Sequence, residues 1–245
     1  MEPVLYNAMH GSKTDFHKQT INTNNLANAN TPGFKADIFQ AQSMYVNGSV
    51  KTKEAYVSQQ ENSTDFTDGE LITTGRDLDV AVQGDGWFAV QDSKGKEVYT
   101  RAGDFQLTEN GMLVTAGKKP VLGDGGPISI PPAKRIEIGS DGTISIVPME
   151  GDSNSLAVID RLKLVKINPR DLTKNEEGLM TLKQGATAQT DASITVVKGA
   201  LEGSNVNAVH QMVNLIATGR EFDAQMKLMQ IVDDNSDKLA QLLQE

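Results

Sequence analysis

The glycines of this chain are unevenly placed, and that constrains the fold more than any other feature. Residues 69–151 hold 14 of the 22 glycines, whereas residues 204–245 hold one and no proline. Before the Thr31-Pro32-Gly33 turn, residues 1–30 hold a single glycine. Glycine interrupts helices and supplies turns. The chain therefore reads as helix, irregular stretch, β-rich middle, helix. Residues 1–36 form the first helical segment, 37–75 a polar extended connector, 76–200 a β domain and 201–245 a second helical segment.

Leu5, Met9, Ser12, Phe16, Gln19, Thr23 and Leu26 recur at alternating steps of four and three, one seam of a helix. Proline disfavours helix in the residue before it, so Thr31-Pro32-Gly33 ends this one. Met212, Leu215, Gly219, Phe222, Met226, Met229, Asp233, Ser236, Ala240 and Leu243 repeat the pattern near the other end. Val209, Val213 and Ile216 widen it. Ser204 and Asn205 are candidate caps. About forty residues of helix would run roughly 60 Å at 1.5 Å per residue. Two such segments favour a coiled-coil-like pair formed by the termini, or else a two-helix cap on the middle domain. Both seams carry polar positions, too thin a stripe to stabilise a lone helix. The termini are therefore expected to order fully only on assembly.

In the middle, Leu78, Val80 and Val82 alternate with Asp79, Ala81 and Gln83, as in a half-buried strand. Lys94-Gly95-Lys96, Asn110-Gly111 and Asp141-Gly142 each separate two strand-like runs, the pattern of hairpin turns. Gly123-Asp124-Gly125-Gly126-Pro127 leads into a strand pattern and reads as a tight β-turn, since a phosphate cradle opens a helix. Leu162, Leu164 and Ile167 mark one more strand. The fold class is α+β, with paired terminal helices and a central antiparallel barrel or sandwich.

The chain is 245 residues long, with 32 Asp+Glu against 23 Lys+Arg and a net charge of −9. Nucleic-acid binding needs clustered positive charge, which this balance opposes. No apolar run approaches membrane-spanning length, and the first residues have no secretory-signal pattern. With no cysteine, thiolate chemistry and zinc–sulfur sites are excluded. His10 and His17 could share a helix face, but only Asp15 offers a nearby carboxylate. Asp77, Asp79, Asp85 and Asp104 lie near strand ends, where turn-forming aspartate is common. No nucleophile elbow, metalloprotease helix or phosphate loop is present. No cofactor or metal site is expected, and no catalytic residue.

Asn22, Asn24, Asn25, Asn28 and Asn30 crowd the end of the first helix. They read either as capping groups of a fraying end or as a polar seam that sets the register of neighbouring helices.

Three blocks resemble the bacterial flagellar rod and hook proteins. Asn24-Asn25-Leu26-Ala27-Asn28-Ala29-Asn30-Thr31-Pro32-Gly33-Phe34-Lys35 is similar to their N-terminal signature. Leu201-Glu202-Gly203-Ser204-Asn205-Val206 through Met212 to Arg220-Glu221-Phe222 is similar to their C-terminal one. Leu78-Asp79-Val80-Ala81-Val82-Gln83-Gly84-Asp85-Gly86-Trp87-Phe88, with Tyr99-Thr100-Arg101-Ala102-Gly103-Asp104-Phe105, resembles the middle. Length and the segments 123–131 and 138–145 are more like a proximal-rod member than a distal one. The resemblance implies a non-enzymatic subunit that stacks helically into the periplasm-crossing rod, terminal helices inside and β domain outside. It implies export through the flagellar type III apparatus without a cleaved signal. The implied partners are further copies and other axial proteins, with no nucleic acid and no membrane embedding. The expected assembly residues are Leu5, Met9, Phe16, Asn24, Asn25, Leu26, Asn28, Phe34, Asn205, Met212, Ile216, Phe222, Met226, Met229 and Leu243. A distal-rod or hook subunit, a wall-glycan-cleaving enzyme and an extracellular binding module are the alternatives.

Overall fold

The computed structural model describes residues 2–47, 53–59, 63–149, 156–183 and 187–242. They form two compact units. One comprises Met1–Ala29, Ala36–Asp65 and Val206–Glu245, the other Asn30–Lys35 and Phe66–Asn205. The fold is α+β, as read from the sequence.

The first unit holds two helices, α1 (Glu2–Ala27) and α2 (Ala208–Leu242). They pack against each other. Lys18 meets Glu221, and Gly11 lies beside the Gln225 side chain, so they run antiparallel. Asn207, not Ser204 or Asn205, caps α2 by accepting from the His210 amide at 3.0 Å. The hydroxyls of Ser12, Thr14, Thr20 and Thr23 all bond carbonyls one turn back within α1. That satisfies them without a partner helix.

The sequence stretch 37–75 is built from strands. Asp37–Ile38 pairs with Ser63–Thr64, and Ala41–Asn47 forms a seven-residue antiparallel hairpin with Lys53–Gln59, all in the first unit. Leu71–Thr73 belongs to the second unit and pairs with Ala200–Glu202.

The second unit is a set of small antiparallel sheets, not a closed barrel. Its largest sheet runs Leu164–Lys166, Gly86–Gln91, Glu97–Thr100, Met180–Leu182, Leu172–Lys174 in lateral order. Ala133–Ile138, Thr143–Pro148 and Ala157–Arg161 form a second sheet of three strands. The Lys94-Gly95-Lys96 and Asp141-Gly142 hairpins form as expected. So does that at Asn110-Gly111, with Leu107 facing Leu113. Gly84-Asp85-Gly86 is a turn between sheets: the strand before it, Val80–Gln83, pairs with Thr195–Lys198.

The strand Gly86–Gln91 separates two cores. Side chains alternate across a strand. Phe88 and Val90 enter one cluster with Phe105, Leu113, Ile128, Ile144 and Leu162; Trp87 and Ala89 enter the other with Tyr99, Val165 and Met180. Val80–Gln83 was expected to be half-buried, yet Val80, Ala81 and Val82 are all buried. Both faces of that strand are covered, so apolar residues occupy both.

Candidate functional site

Two features carry functional side chains. The first is the surface of the helix pair. On α1 the buried residues are Ala8, Ser12, Asp15, Ile21 and Asn25. Apart from Ile21 these are small or polar groups, which provide little apolar contact. The expected seam is split: Leu5 is 39% exposed, Met9 52% and Phe16 63%, while Ser12 is buried and Leu26 half-buried. On α2 the half-buried stripe is Gln211, Leu215, Phe222, Gln225, Met229, Val232 and Ser236, with Thr218 buried among them. Met212, Ile216 and Met226 are exposed, together with Val209, Val213 and Ile231. The structure thus divides the expected residues. Phe222 and Met229 lie on the half-buried stripe of α2, while Leu5, Met9 and Phe16 on α1 and Met212, Ile216 and Met226 on α2 are exposed. Leu243 lies outside the described residues.

The asparagine block works locally. The Asn25 side chain donates to the Asp37 carbonyl at 2.8 Å and accepts from the Asp37 amide at 2.9 Å. It thereby pins the strand that follows the turn to the end of α1. Asn28 Nδ2 donates back to the Asn24 carbonyl, a bond within the terminal turn. Asn24 is exposed and Leu26 half-buried.

The second feature lies in the β unit, where the three sequence blocks meet. Lys35 ends the first block, Arg101 stands in the middle one and Glu202 opens the last. Lys35 Nζ lies 2.7 Å from Glu202 Oε1, and Arg101 Nη1 lies 3.1 Å from Glu202 Oε2. All three side chains are at most 5% exposed. Lys35 also donates to the Thr67 carbonyl at 2.8 Å and to Asp68 at 3.3 Å. Arg101 donates to the Gly84 carbonyl at 2.8 Å, and its guanidinium lies 5.1 Å from the Trp87 ring. Burying charge is costly unless each charge is paired and hydrogen-bonded, and Glu202 pairs both cations at once.

Backbone contacts complete the joint. The Gly33 amide donates to the Glu202 carbonyl at 2.7 Å. Gly33 has φ +67, and a Cβ there would sit 2.2 Å from the Ala102 amide nitrogen, so glycine is required on both counts. The Asn205 amide donates to the Phe34 carbonyl, and its side chain donates to the Thr67 carbonyl at 3.1 Å. Lys174 lies 4.0 Å from the Phe34 ring and donates to the Lys35 carbonyl. Phe34 and Asn205 are thus brought together. Lys35, Arg101 and Glu202 were not singled out in the sequence. Each block carries other polar or charged residues, so nothing local set these three apart.

The acidic residues near strand ends serve the fold. Asp79 is buried, accepts from Thr74 Oγ1 at 2.6 Å and faces Arg76 at 3.5 Å. Burial, and then the charge of Asp79, push the Asp104 carboxyl above the usual aspartate range. Burial pushes the Tyr99 hydroxyl up to about 12. That hydroxyl donates to Glu97 and accepts from the Ala188 amide. His10 packs edge-on against Tyr6 and His17 against Phe39. Among the described residues no group of three or more His, Asp or Glu could hold a metal ion. No helix among them is long and apolar enough to cross a membrane.

Two long terminal helices and a β unit in which three separated blocks converge are the architecture, and comparison with known proteins gives the class: a structural protein of the flagellar axis. Residues 5–35 match the family model of flagella basal body rod proteins. Residues 81–146 match that of the flagellar hook protein FlgE/F/G D1 domain, and residues 197–242 that of the flagellar basal body rod FlgEFG protein C-terminal region. The flagellar basal-body rod protein FlgF of Escherichia coli (strain K12) is 39% identical over 249 residues, covering 99% of both chains. The FlgF protein of Rhizobium meliloti (strain 1021) is 34% identical, over 99% of this chain and 98% of its own. The flagellar basal-body rod protein FlgG of Buchnera aphidicola subsp. Schizaphis graminum is 32% identical, over 94% and 97%. The chain belongs to the flagellar basal-body rod protein family, as a structural subunit of the FlgF type.

Proposed function

We propose that this protein is a non-enzymatic subunit of the proximal rod, assembling helically with further copies and with other axial proteins into the shaft that crosses the periplasm and transmits torque. In this reading residues 1–36 and 201–245 supply the inner axial layer, 37–75 connect it and 76–200 form the outer β domain. The chain leaves the cell interior through the flagellar type III apparatus without a cleaved signal. Its terminal helices become fully ordered only when neighbouring subunits cover them.

One observation carries the proposal. Leu5, Met9 and Phe16 on α1, and Met212, Ile216 and Met226 on α2, are large, apolar and exposed, while Ala8, Ser12, Asp15 and Asn25 are among the few buried residues of α1. Large exposed apolar faces mark surfaces that another protein covers. Two different faces on one subunit give a head-to-tail contact, which propagates into a filament when the rotation does not close. Asn24, Asn28, Phe222 and Met229 lie beside these faces and complete the assembly set, with Asn25, Leu26, Phe34 and Asn205 holding the ends in position.

The test is complementation of a strain lacking this chain, read by electron microscopy of purified basal bodies. The parent strain is expected to show the membrane-embedded base without distal rod or hook. Wild-type protein restores both, while Phe16→Asp and Ile216→Asp do not, although each purified variant keeps its β unit folded. Complete rods in the deletion strain, or with both variants, would overturn the reading.

A further inference from the structure

We propose that Glu202 makes docking of the N-terminal segment Asn30–Lys35 conditional on docking of the C-terminal segment Ala200–Asn205, so that the β unit takes up both ends of the chain together or neither. The proposal does not depend on the proximal-rod reading; it concerns how this unit closes.

The cluster contains two buried cations and one buried anion. Asp68 also faces Lys35 and Arg101, at 3.3 Å and 3.5 Å, but its side chain is 59% exposed. Glu202, at 3%, is the anion that reaches both cations out of water. Without it Lys35 would stay buried with only a solvent-screened partner, a far weaker compensation. Two backbone ties of the N-terminal segment lead to the same place. Gly33 donates to the Glu202 carbonyl, and Phe34 accepts from the Asn205 amide.

The dependence runs the other way as well. Ala200–Glu202 is held laterally by Leu71–Thr73, a three-residue strand whose residues are all exposed. A two-stranded pairing of that length is marginal alone. Glu202 Oε1 additionally accepts from the Gly69 amide at 3.2 Å, and Gly203 donates to the Glu70 carbonyl. Lys35 neutralises the carboxylate that anchors this strand. Removing it takes away the closer of the two buried cations, at 2.7 Å against 3.1 Å, and leaves Glu202 with Arg101 alone. Each terminal segment thus supplies the charge that makes burial of the other affordable. Lys35 and Glu202 are 167 positions apart, so the joint closes only when the chain is present through residue 202.

The experiment is amide hydrogen exchange on the full-length protein, comparing wild type with Glu202→Gln and Lys35→Gln. Glu202→Gln is expected to speed exchange at Gly33 by about a hundredfold. Lys35→Gln is expected to do the same at Gly203 and Asn205. In both variants the amides of residues 143–147 should change less than about threefold, showing an intact core. Acceleration confined to the mutated segment in either variant would overturn the proposal. Should Glu202→Gln fail to give a protected core, Lys35→Gln decides alone: fast exchange at Gly203 and Asn205 supports the coupling, and wild-type protection there refutes it.

Discussion

Lys35 and Glu202 meet at 2.7 Å with side chains 1% and 3% exposed, although 167 positions separate them. With Arg101 they join three distant sequence blocks at one buried point.

The cost of breaking that point differs from the cost of replacing it. Glu202→Ala strands two buried cations and is expected to destabilise the β unit by about 3–5 kcal/mol. Replacing all three charges together, Lys35→Met, Arg101→Met and Glu202→Leu, removes the desolvation cost along with the attraction. That triple variant should be within about 2 kcal/mol of wild type or more stable than it. Urea unfolding of the β unit, followed by tryptophan fluorescence of Trp87, measures both. Equal loss in the two variants would mean that specific geometry, not charge compensation, holds the joint.

Asn25 pairs with both backbone groups of Asp37, as a strand neighbour would. Asn25→Ala leaves a half-buried amide and carbonyl without that partner, at about 1 kcal/mol. Asn25→Asp retains only the acceptor and should recover part of the loss. Protection of the Asp37 amide against exchange reports the difference.

The raised Asp104 pKa fixes the sign of one pH effect. Burial, and then the Asp79 charge, favour the neutral form in the folded protein over the unfolded one. The folded state therefore binds the proton at higher pH, and the ionised group costs stability above its folded pKa. Asp104→Asn should raise the melting temperature at pH 7. The advantage should shrink as pH falls through the folded pKa of Asp104 toward its ordinary value near 3.8. Thermal melts of both proteins between pH 3 and 7 test this, and a gain that grows on acidification would contradict it.

Much of the architecture follows from local chemistry in the sequence. The hairpins at Asn110-Gly111 and Asp141-Gly142 form where the turn residues put them, with Gly111 at φ +76 and Gly142 at φ +84. The helices run through glycine-poor segments and stop near Thr31-Pro32-Gly33. Turn chemistry acts over a few residues, so a single sequence carries it in full. The partition of residues between two sheets was less visible: Gly84-Asp85-Gly86 looks like a hairpin turn, yet the strands on its two sides pair with Thr195–Lys198 and with Glu97–Thr100.

The helix faces show where local pattern stops. Spacing placed Leu5, Met9 and Phe16 on one stripe, and they do share an exposed side. Spacing says which residues lie together, while the neighbouring helix decides which side is covered. Here Ala8, Ser12 and Asp15 are among the buried ones. The Lys35–Arg101–Glu202 joint lies further still from sequence reading. A lysine, an arginine and a glutamate scattered over the chain are ordinary surface residues by composition. Only the tertiary structure buries them, because each is stable out of water solely in the presence of the others.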